Sequence, residues 1–375
     1  MSMTGRIAIV GAGPAGAFLA YRLAKAGAPV TLFDKRDAWE KPCGGGVTPK
    51  AYGRFPEIGE ADFPRNPVAD GLFISPKGRA VELVSRKPMW IVSRKVLDAH
   101  LRGLSAPWPW AEIVKERVVA VERAASAWEV RTETRAEKFS FVVGADGAFS
   151  RVRKSVLSPI PREHLSLAGG YFVKASGEKV ARTQFLAEGG YMWSYPRLDH
   201  VCVGGGAGAR GWDIFGNVEK FRRQWFPDAP ILGKWAAPIP FVKDPAFYDL
   251  ATSGDGFALV GDAAGHVDAV TGEGILYALW GADLLADAIL SGTPRSYEER
   301  WRTAYGKELR RAATASRSFY ARGAMERIFW VARRSATMRS LLMDLMADQP
   351  SYLETGKMLR RRLPRIALEA LGVRR

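Results

Sequence analysis

The hexapeptide Gly11-Ala12-Gly13-Pro14-Ala15-Gly16 stands between a short apolar run, Ile7–Val10, and a helix-forming stretch, Ala17–Ala26. No other feature of the chain limits the fold as tightly. Gly11 permits a tight turn, Gly13 lets the backbone approach a pyrophosphate, and Gly16 lets helix and strand pack closely. Pro14 and Ala15 fall in the first turn, where free N–H groups face an anion. A second apolar strand, Val30–Phe33, completes a βαβ unit, which belongs in a parallel sheet. Asp34 closes that strand 18 residues after Gly16, with Lys35 beside it. Its carboxylate is suited to accept hydrogen bonds from a ribose diol and would repel a 2′-phosphate. FAD or NAD therefore fits better than NADP.

Two further glycine loops follow apolar strands. Gly144-Ala145-Asp146-Gly147 comes after Lys138–Val143, with Ser150, Arg151 and Arg153 next. Asp146 either lines a cofactor or orders the loop. Arg153 holds a phosphate, orients a loop or faces solvent. Gly261-Asp262-Ala263-Ala264-Gly265-His266 comes after Phe257–Val260, and Thr271-Gly272-Glu273-Gly274-Ile275 opens a strong helix, Gly274–Leu290. That helix start is another anion-facing terminus. Asp262 is suited to a ribityl hydroxyl, and the N–H groups near Gly272–Gly274 to the negative ring of a reduced flavin. His266 reads first as structural or cofactor-lining, with an acid/base role open.

Between these loops the pattern changes. Residues 39–80 are rich in Gly and Pro and read as loops and short strands. Val92–Leu101 reads as a helix. Val114–Glu122 and Trp128–Thr134 read as a hairpin or meander. From Leu165 to Gly206 alternation predicts an antiparallel sheet with one buried face, over Ser166–Lys174, Lys179–Phe185, Gly190–Ser194 and His200–Val203. Val218–Trp225 is predicted helical, Gly233–Pro240 a strand, and the chain beyond residue 295 helical almost throughout. The predicted fold class is α/β: a Rossmann-like cofactor domain interrupted by an antiparallel-sheet substrate domain, with a C-terminal helical region. The corresponding divisions are 1–80, 101–164 and 251–292 for the cofactor domain, 81–100 for a cofactor-contacting helix and linker, 165–250 for the substrate domain, and 293–375 for the tail.

In family order and approximate spacing, the glycine fingerprint, the Asp146 loop and the Asp262 loop resemble the flavoprotein superfamily with the para-hydroxybenzoate hydroxylase fold. Two more segments narrow the resemblance. Lys41-Pro42-Cys43-Gly44-Gly45-Gly46-Val47 and Tyr191-Met192-Trp193-Ser194-Tyr195-Pro196 are similar to the Cys-Gly-Gly loop and the Tyr-x-Trp-x-Phe-Pro motif of the geranylgeranyl reductase family. Asp268-Ala269-Val270-Thr271-Gly272-Glu273-Gly274 is similar to that family's Asn-Pro-Leu-Thr-Gly-Glu-Gly segment. Tyr195, Asp268 and Ala269 are departures from those motifs. The resemblance implies a tightly held FAD, with adenosine at Gly11–Gly16, the ring near Gly272, and Arg94 helping to hold it. It implies reduction of prenyl double bonds by hydride from flavin N5. It also implies no separate NAD(P)H domain, so NADH, NADPH or another donor acts transiently. The rival chemistry is hydroxylation or epoxidation through a flavin hydroperoxide. Halogenation is weaker, because that family's Trp-x-Trp-x-Ile-Pro motif is missing.

The residues themselves agree in part. Three glycines after Cys43 let backbone lie against a flat ring. Cys43 contacts flavin or substrate, donates a proton as a weak acid, or simply packs. Gly44 and Gly45 belong to the same site. Tyr191, Trp193 and Tyr195 alternate and so share one strand face, either walling an elongated apolar pocket or forming an ordinary sheet face. Cys202 reads as core.

The chain carries 55 Lys+Arg against 39 Asp+Glu, a formal charge of +16. Residues 291–375 hold 19 basic and 8 acidic residues, so most of the excess lies in the tail. Arginines there alternate with apolar residues at helical spacing. Such a tail rests on an anionic membrane surface, caps the substrate pocket, or is a helical cover with a solvated basic face. Zinc-finger spacing and an RNP-like strand are both missing, which argues against nucleic acid. Two cysteines exclude a disulfide-dense scaffold and an all-cysteine zinc site, and no metal site is predicted. The N-terminus lacks a signal-peptide pattern, so the expected location is cytoplasmic, at most peripheral to a membrane. Oligomeric state is not legible.

Overall fold

The computed structural model describes residues 5–207, 211–321, 323–345 and 351–373. They form two compact units, Met1–Lys41 with Arg94–Leu165 and Pro238–Arg310, and Pro42–Ser93 with Ser166–Ala237 and Arg311–Arg375. The chain leaves the first unit at Lys41 and returns at Arg94.

The first unit is built on a six-stranded sheet in the order Ser253–Gly254, Phe257–Leu259, Phe141–Gly144, Ile7–Val10, Val30–Phe33, Ala111–Val114. All pairs are parallel except the first. Ile7–Val10, Val30–Phe33 and Phe141–Gly144 are buried along their whole length, as central parallel strands require. The Pro14–Lys25 helix begins with proline in its first turn and packs beside Ile275–Leu290. Arg22 links the two through Asp283 and, at 2.8 Å, Asp287. A separate three-stranded sheet comprises Ala120–Ala124, Ala127–Arg131 and Ala136–Phe139. The predicted single strand Lys138–Val143 is therefore two, Ala136–Phe139 and Phe141–Gly144, in different sheets. They part at Ser140, whose N–H turns to the Arg6 carbonyl at 3.1 Å. Val114–Glu122 likewise divides, its ends falling in Ala111–Val114 and Ala120–Ala124.

The second unit holds an eight-stranded sheet in the order Ile231–Pro240, Leu165–Val173, Val201–Ala207, Gly190–Pro196, Val180–Phe185, Asn66–Ile74, Ala80–Ile91, Gly46–Val47. The Gly/Pro-rich region read as loops and short strands contains a longer one, the nine-residue strand Asn66–Ile74, which pairs with Ala80–Ile91. Its glycine is there for packing, since a Cβ on Gly71 would lie 2.7 Å from the Phe73 ring. The strands predicted between Leu165 and Gly206 pair antiparallel, and Val180–Phe185 at their edge runs parallel to Asn66–Ile74.

Helices cover both faces. Ile214–Trp225 packs Val218 and Phe221 against Met192, Val201 and Val203. Ala324–Ala332 packs Met325 and Phe329 against Phe73, Val81, Leu83 and Phe185. Helices Ala336–Met343 and Tyr352–Ala370 complete that cover. Among the described residues no helix is long and apolar enough to cross a membrane.

Candidate functional site

In the first unit the three glycine loops converge at the carboxyl ends of the parallel strands, where open α/β sheets bind ligands. A Cβ on Gly11, whose φ is +99°, would lie 2.4 Å from the Ala145 carbonyl oxygen, and one on Gly16 would lie 1.9 Å from the Gly11 oxygen. A Cβ on Gly261 would lie 3.3 Å from that of Ala15. Gly13 differs: its Cβ would meet nothing within 4 Å. No side chain caps the helix that Gly13 opens. Its first-turn N–H groups thus face a cradle suited to a pyrophosphate.

Asp34 borders this cradle. Its carboxylate accepts the Ala12 N–H at 2.9 Å and Arg102 Nη2 at 3.2 Å. Arg102 also donates to the Ala12 and Arg36 carbonyls, each at 2.8 Å. It therefore clamps the glycine turn to the strand end. No motif pointed to Arg102, because its partners are mostly backbone carbonyls. Arg94, expected to help hold the cofactor, is buried and forms a bidentate pair with Asp98, both bonds 2.9 Å. It fixes the start of the helix that carries Arg102. Lys35 is exposed at the strand end.

Asp146 accepts from Ser150 Oγ and from the N–H groups of Arg151 and Val152, at 2.7 and 3.3 Å. Its carboxylate orders the loop and caps the Arg151–Val156 helix, and burial raises its pKa. Arg153 is 2% exposed and donates to the Ala263 carbonyl at 3.1 Å. It joins two glycine loops and does not face solvent.

Asp268 is fully buried. Its Oδ1 accepts the N–H groups of Val270 and Thr271, both at 2.8 Å, while the backbone closes from Gly272 N–H to the Asp268 carbonyl at 2.9 Å. Asp268 supplies an acceptor that an asparagine Oδ1 could also supply. Gly272 lies at φ +74°, and Glu273, Gly274 and Ile275 lead into the helix. Asp262 is close by, its Oδ1 3.5 Å from a Cβ built on Gly274. His266 is buried, with Nδ1 3.0 Å from Tyr305 Oη and its ring 4.4 Å from that of Trp301. Burial drops its pKa to about 3. At that value the imidazole is neutral at pH 7, packed against Trp301 and Tyr305.

The second unit assembles the other set. Gly44 lies flat against the aromatic strand: its Cβ would be 2.6 Å from Tyr195 Cδ2 and 3.6 Å from Trp193 Nε1. Gly45 has φ +79° and abuts the Val92 carbonyl. Cys43 is half-buried, its Sγ accepting the Gly45 N–H at 3.4 Å. Arg197, 1% exposed, donates to the Cys43 carbonyl at 2.8 Å and lies 3.0 Å from His200 Nε2. The sequence reading passed over this anchor, though Arg197 follows directly on Tyr195-Pro196.

Tyr191, Trp193 and Tyr195 share one face, with successive ring separations of 5.7 and 6.4 Å. Trp235 adds a fourth ring, 6.0 Å from Trp193. Burial pushes the Tyr195 phenol above its ordinary pKa, so it stays protonated at neutral pH, 3.3 Å from Thr183 Oγ1. Met192 turns to the opposite core and Cys202 is buried. The result is an apolar strip with the Cys43 loop at the Tyr195 end and the C-terminal helices at the Tyr191 end. Among the described residues no three His, Cys, Asp or Glu side chains gather to hold a metal.

Residues 9–50 match the family described as NAD(P)-binding Rossmann-like domain. The chain is 30% identical to a chloroplastic geranylgeranyl diphosphate reductase of Nicotiana tabacum, over 92% of this chain and 78% of that protein. It is 26% identical to a digeranylgeranylglycerophospholipid reductase of Methanocaldococcus jannaschii, over 79% and 82% of the two chains. The fold is similar to the crystal structure of a geranylgeranyl bacteriochlorophyll reductase-like protein from Thermoplasma acidophilum. There the TM-score is 0.76 at 19% identity, covering 96% of this chain and 100% of that one.

Proposed function

The chain belongs to the geranylgeranyl reductase family of FAD-dependent oxidoreductases, and from this premise we propose that it reduces carbon–carbon double bonds of a prenylated, strongly apolar substrate. The observation that carries the reading is Gly44 pressed on Tyr195 and Trp193 at one end of a continuous aromatic strip. Such a strip suits a long unsaturated chain, which offers no charge to grip and must be aligned by surface contact.

The first-turn N–H groups at Gly13–Gly16 are assigned to the FAD pyrophosphate and Asp34 to the adenosine ribose. Asp262 is assigned to the ribityl chain, and the Gly272–Gly274 backbone to the ring. When bound and reduced by NADH, NADPH or another carrier, FAD supplies a hydride to one alkene carbon and is left oxidised. The second carbon needs a proton. Cys43 and Tyr195 are its candidate sources, and Arg197 positions Cys43 by holding its carbonyl. Trp193 and Tyr191 orient the chain.

The test is anaerobic mixing of dithionite-reduced enzyme with prenyl diphosphates and prenylated glycerolipids. Flavin reoxidation with a product heavier by two hydrogens is expected. A strict need for O₂ with oxygen incorporated into the product would establish the hydroperoxide chemistry instead.

A further inference from the structure

The last helix, Tyr352–Ala370, is taken up by its unit on one side only. Ile366 is 4% exposed. Glu369 accepts from Ser335 Oγ at 2.6 Å and Thr337 Oγ1 at 2.8 Å, tying the helix to Ala336–Met343. At about 100° per residue, Leu353, Leu368 and Leu371 fall on the side away from Ile366, with Lys357 and Arg361. Leu363, on the flank, is 55% exposed, and Leu371 is 74% exposed. Among the described residues, six of the twenty exposed large apolar side chains lie between Leu353 and Val373. A solvated helix has no reason to collect them.

The charge around them is mainly positive. Residues 353–373 contain five basic and two acidic side chains, and one of the two acids, Glu369, is committed inward. Arg360 and Arg361 are exposed among the leucines. Long basic side chains can bury their stems beside apolar groups while their heads reach water or phosphate. This combination fits an interfacial helix. It suits a second copy of the chain poorly, because such pairing would bring like charges together. A nucleic acid would use the arginines and leave the leucines without a partner.

We propose that Tyr352–Ala370 docks the protein on an anionic phospholipid bilayer, with the outward leucines entering the acyl boundary and Arg360 and Arg361 meeting headgroup phosphates. The inference stands independently of the proposed chemistry. The experiment is cosedimentation of the full chain with vesicles of phosphatidylcholine alone and of equimolar phosphatidylcholine–phosphatidylglycerol. Binding is expected to the second only, weakening as salt rises from about 0.1 to about 1 M and the screening length shrinks from about 10 to about 3 Å. Leu363→Glu/Leu371→Glu and Arg360→Gln/Arg361→Gln should each weaken it about tenfold or more. Both double variants should keep the wild-type melting temperature, and their flavin turnover on a detergent-dispersed substrate should be unchanged. Equal binding to neutral vesicles, or binding indifferent to the leucine changes, would overturn the proposal. So would a wild-type dimer that dissociates in the leucine variant, or duplex DNA binding in place of vesicle binding. Failure to find a prenyl substrate would leave the vesicle result intact.

Discussion

Gly16 and Gly44 are both obligatory, yet they exclude a side chain from different places. A Cβ on Gly16 would run into the Gly11 carbonyl at 1.9 Å, distorting the cradle itself. A Cβ on Gly44 would press on the Tyr195 ring and leave the nucleotide turn untouched. The two alanine variants should therefore separate. Gly16→Ala should lower flavin affinity by about tenfold or more, in line with the roughly 1–3 kcal/mol of an overpacked contact, read as flavin released on gel filtration. Gly44→Ala should purify with full flavin and lose most of its alkene reduction. Equal flavin loss in both would contradict the assignment. At this scale the glycine residues were legible in the sequence, because the reason for a missing side chain is steric and local. Arg102 and Arg197 were not. Each acts on backbone carbonyls remote in sequence, at Ala12 and Cys43, and a carbonyl has no sequence signature.

At the level of elements, the C-terminal helices are part of a core and not an appendage. Phe329 is 3% exposed and packs with Phe73, Val81, Leu83 and Phe185 beneath the Ala324–Ala332 helix. Phe329→Ala should cost about 3–5 kcal/mol, measurable as a lower denaturation midpoint. Its melting transition should fall even with flavin saturating, because the lesion lies in the second unit, away from the glycine loops assigned to the flavin. Replacement by Leu should restore most of the loss. The small apolar cavity already present beside Phe329, about 20 Å³ and lined by Phe73, Val81, Phe185 and Phe319, has room for about one water and no polar group to hold it. It is a packing defect, too small for a prenyl chain. The helical period of the tail was readable from residue types. That its apolar side completes the aromatic face at Tyr191 was not, since this depends on which strand lies next to Gly190–Pro196.

For the molecule as a whole, the decisive fact is that neither unit is continuous in the chain. The parallel sheet draws Phe257–Leu259 and the Ile275–Leu290 helix from far beyond its first four strands. A fragment of residues 1–165 should therefore fail to fold or retain flavin, although it contains the complete glycine fingerprint. Circular dichroism and flavin absorbance would check this, and a yellow, cooperatively melting fragment would contradict it. The sequence alone determined the nucleotide-binding turn, the parallel core around it and the alternation of Tyr191, Trp193 and Tyr195. Each follows from side-chain size, backbone freedom and short-range periodicity. Tertiary structure decided the Asn66–Ile74 hairpin and its parallel partner, the split at Ser140, the partners of Arg94 and His266, and which leucines of the last helix stay outside. These depend on neighbours brought together by long-range pairing and burial, and local sequence does not record such neighbours.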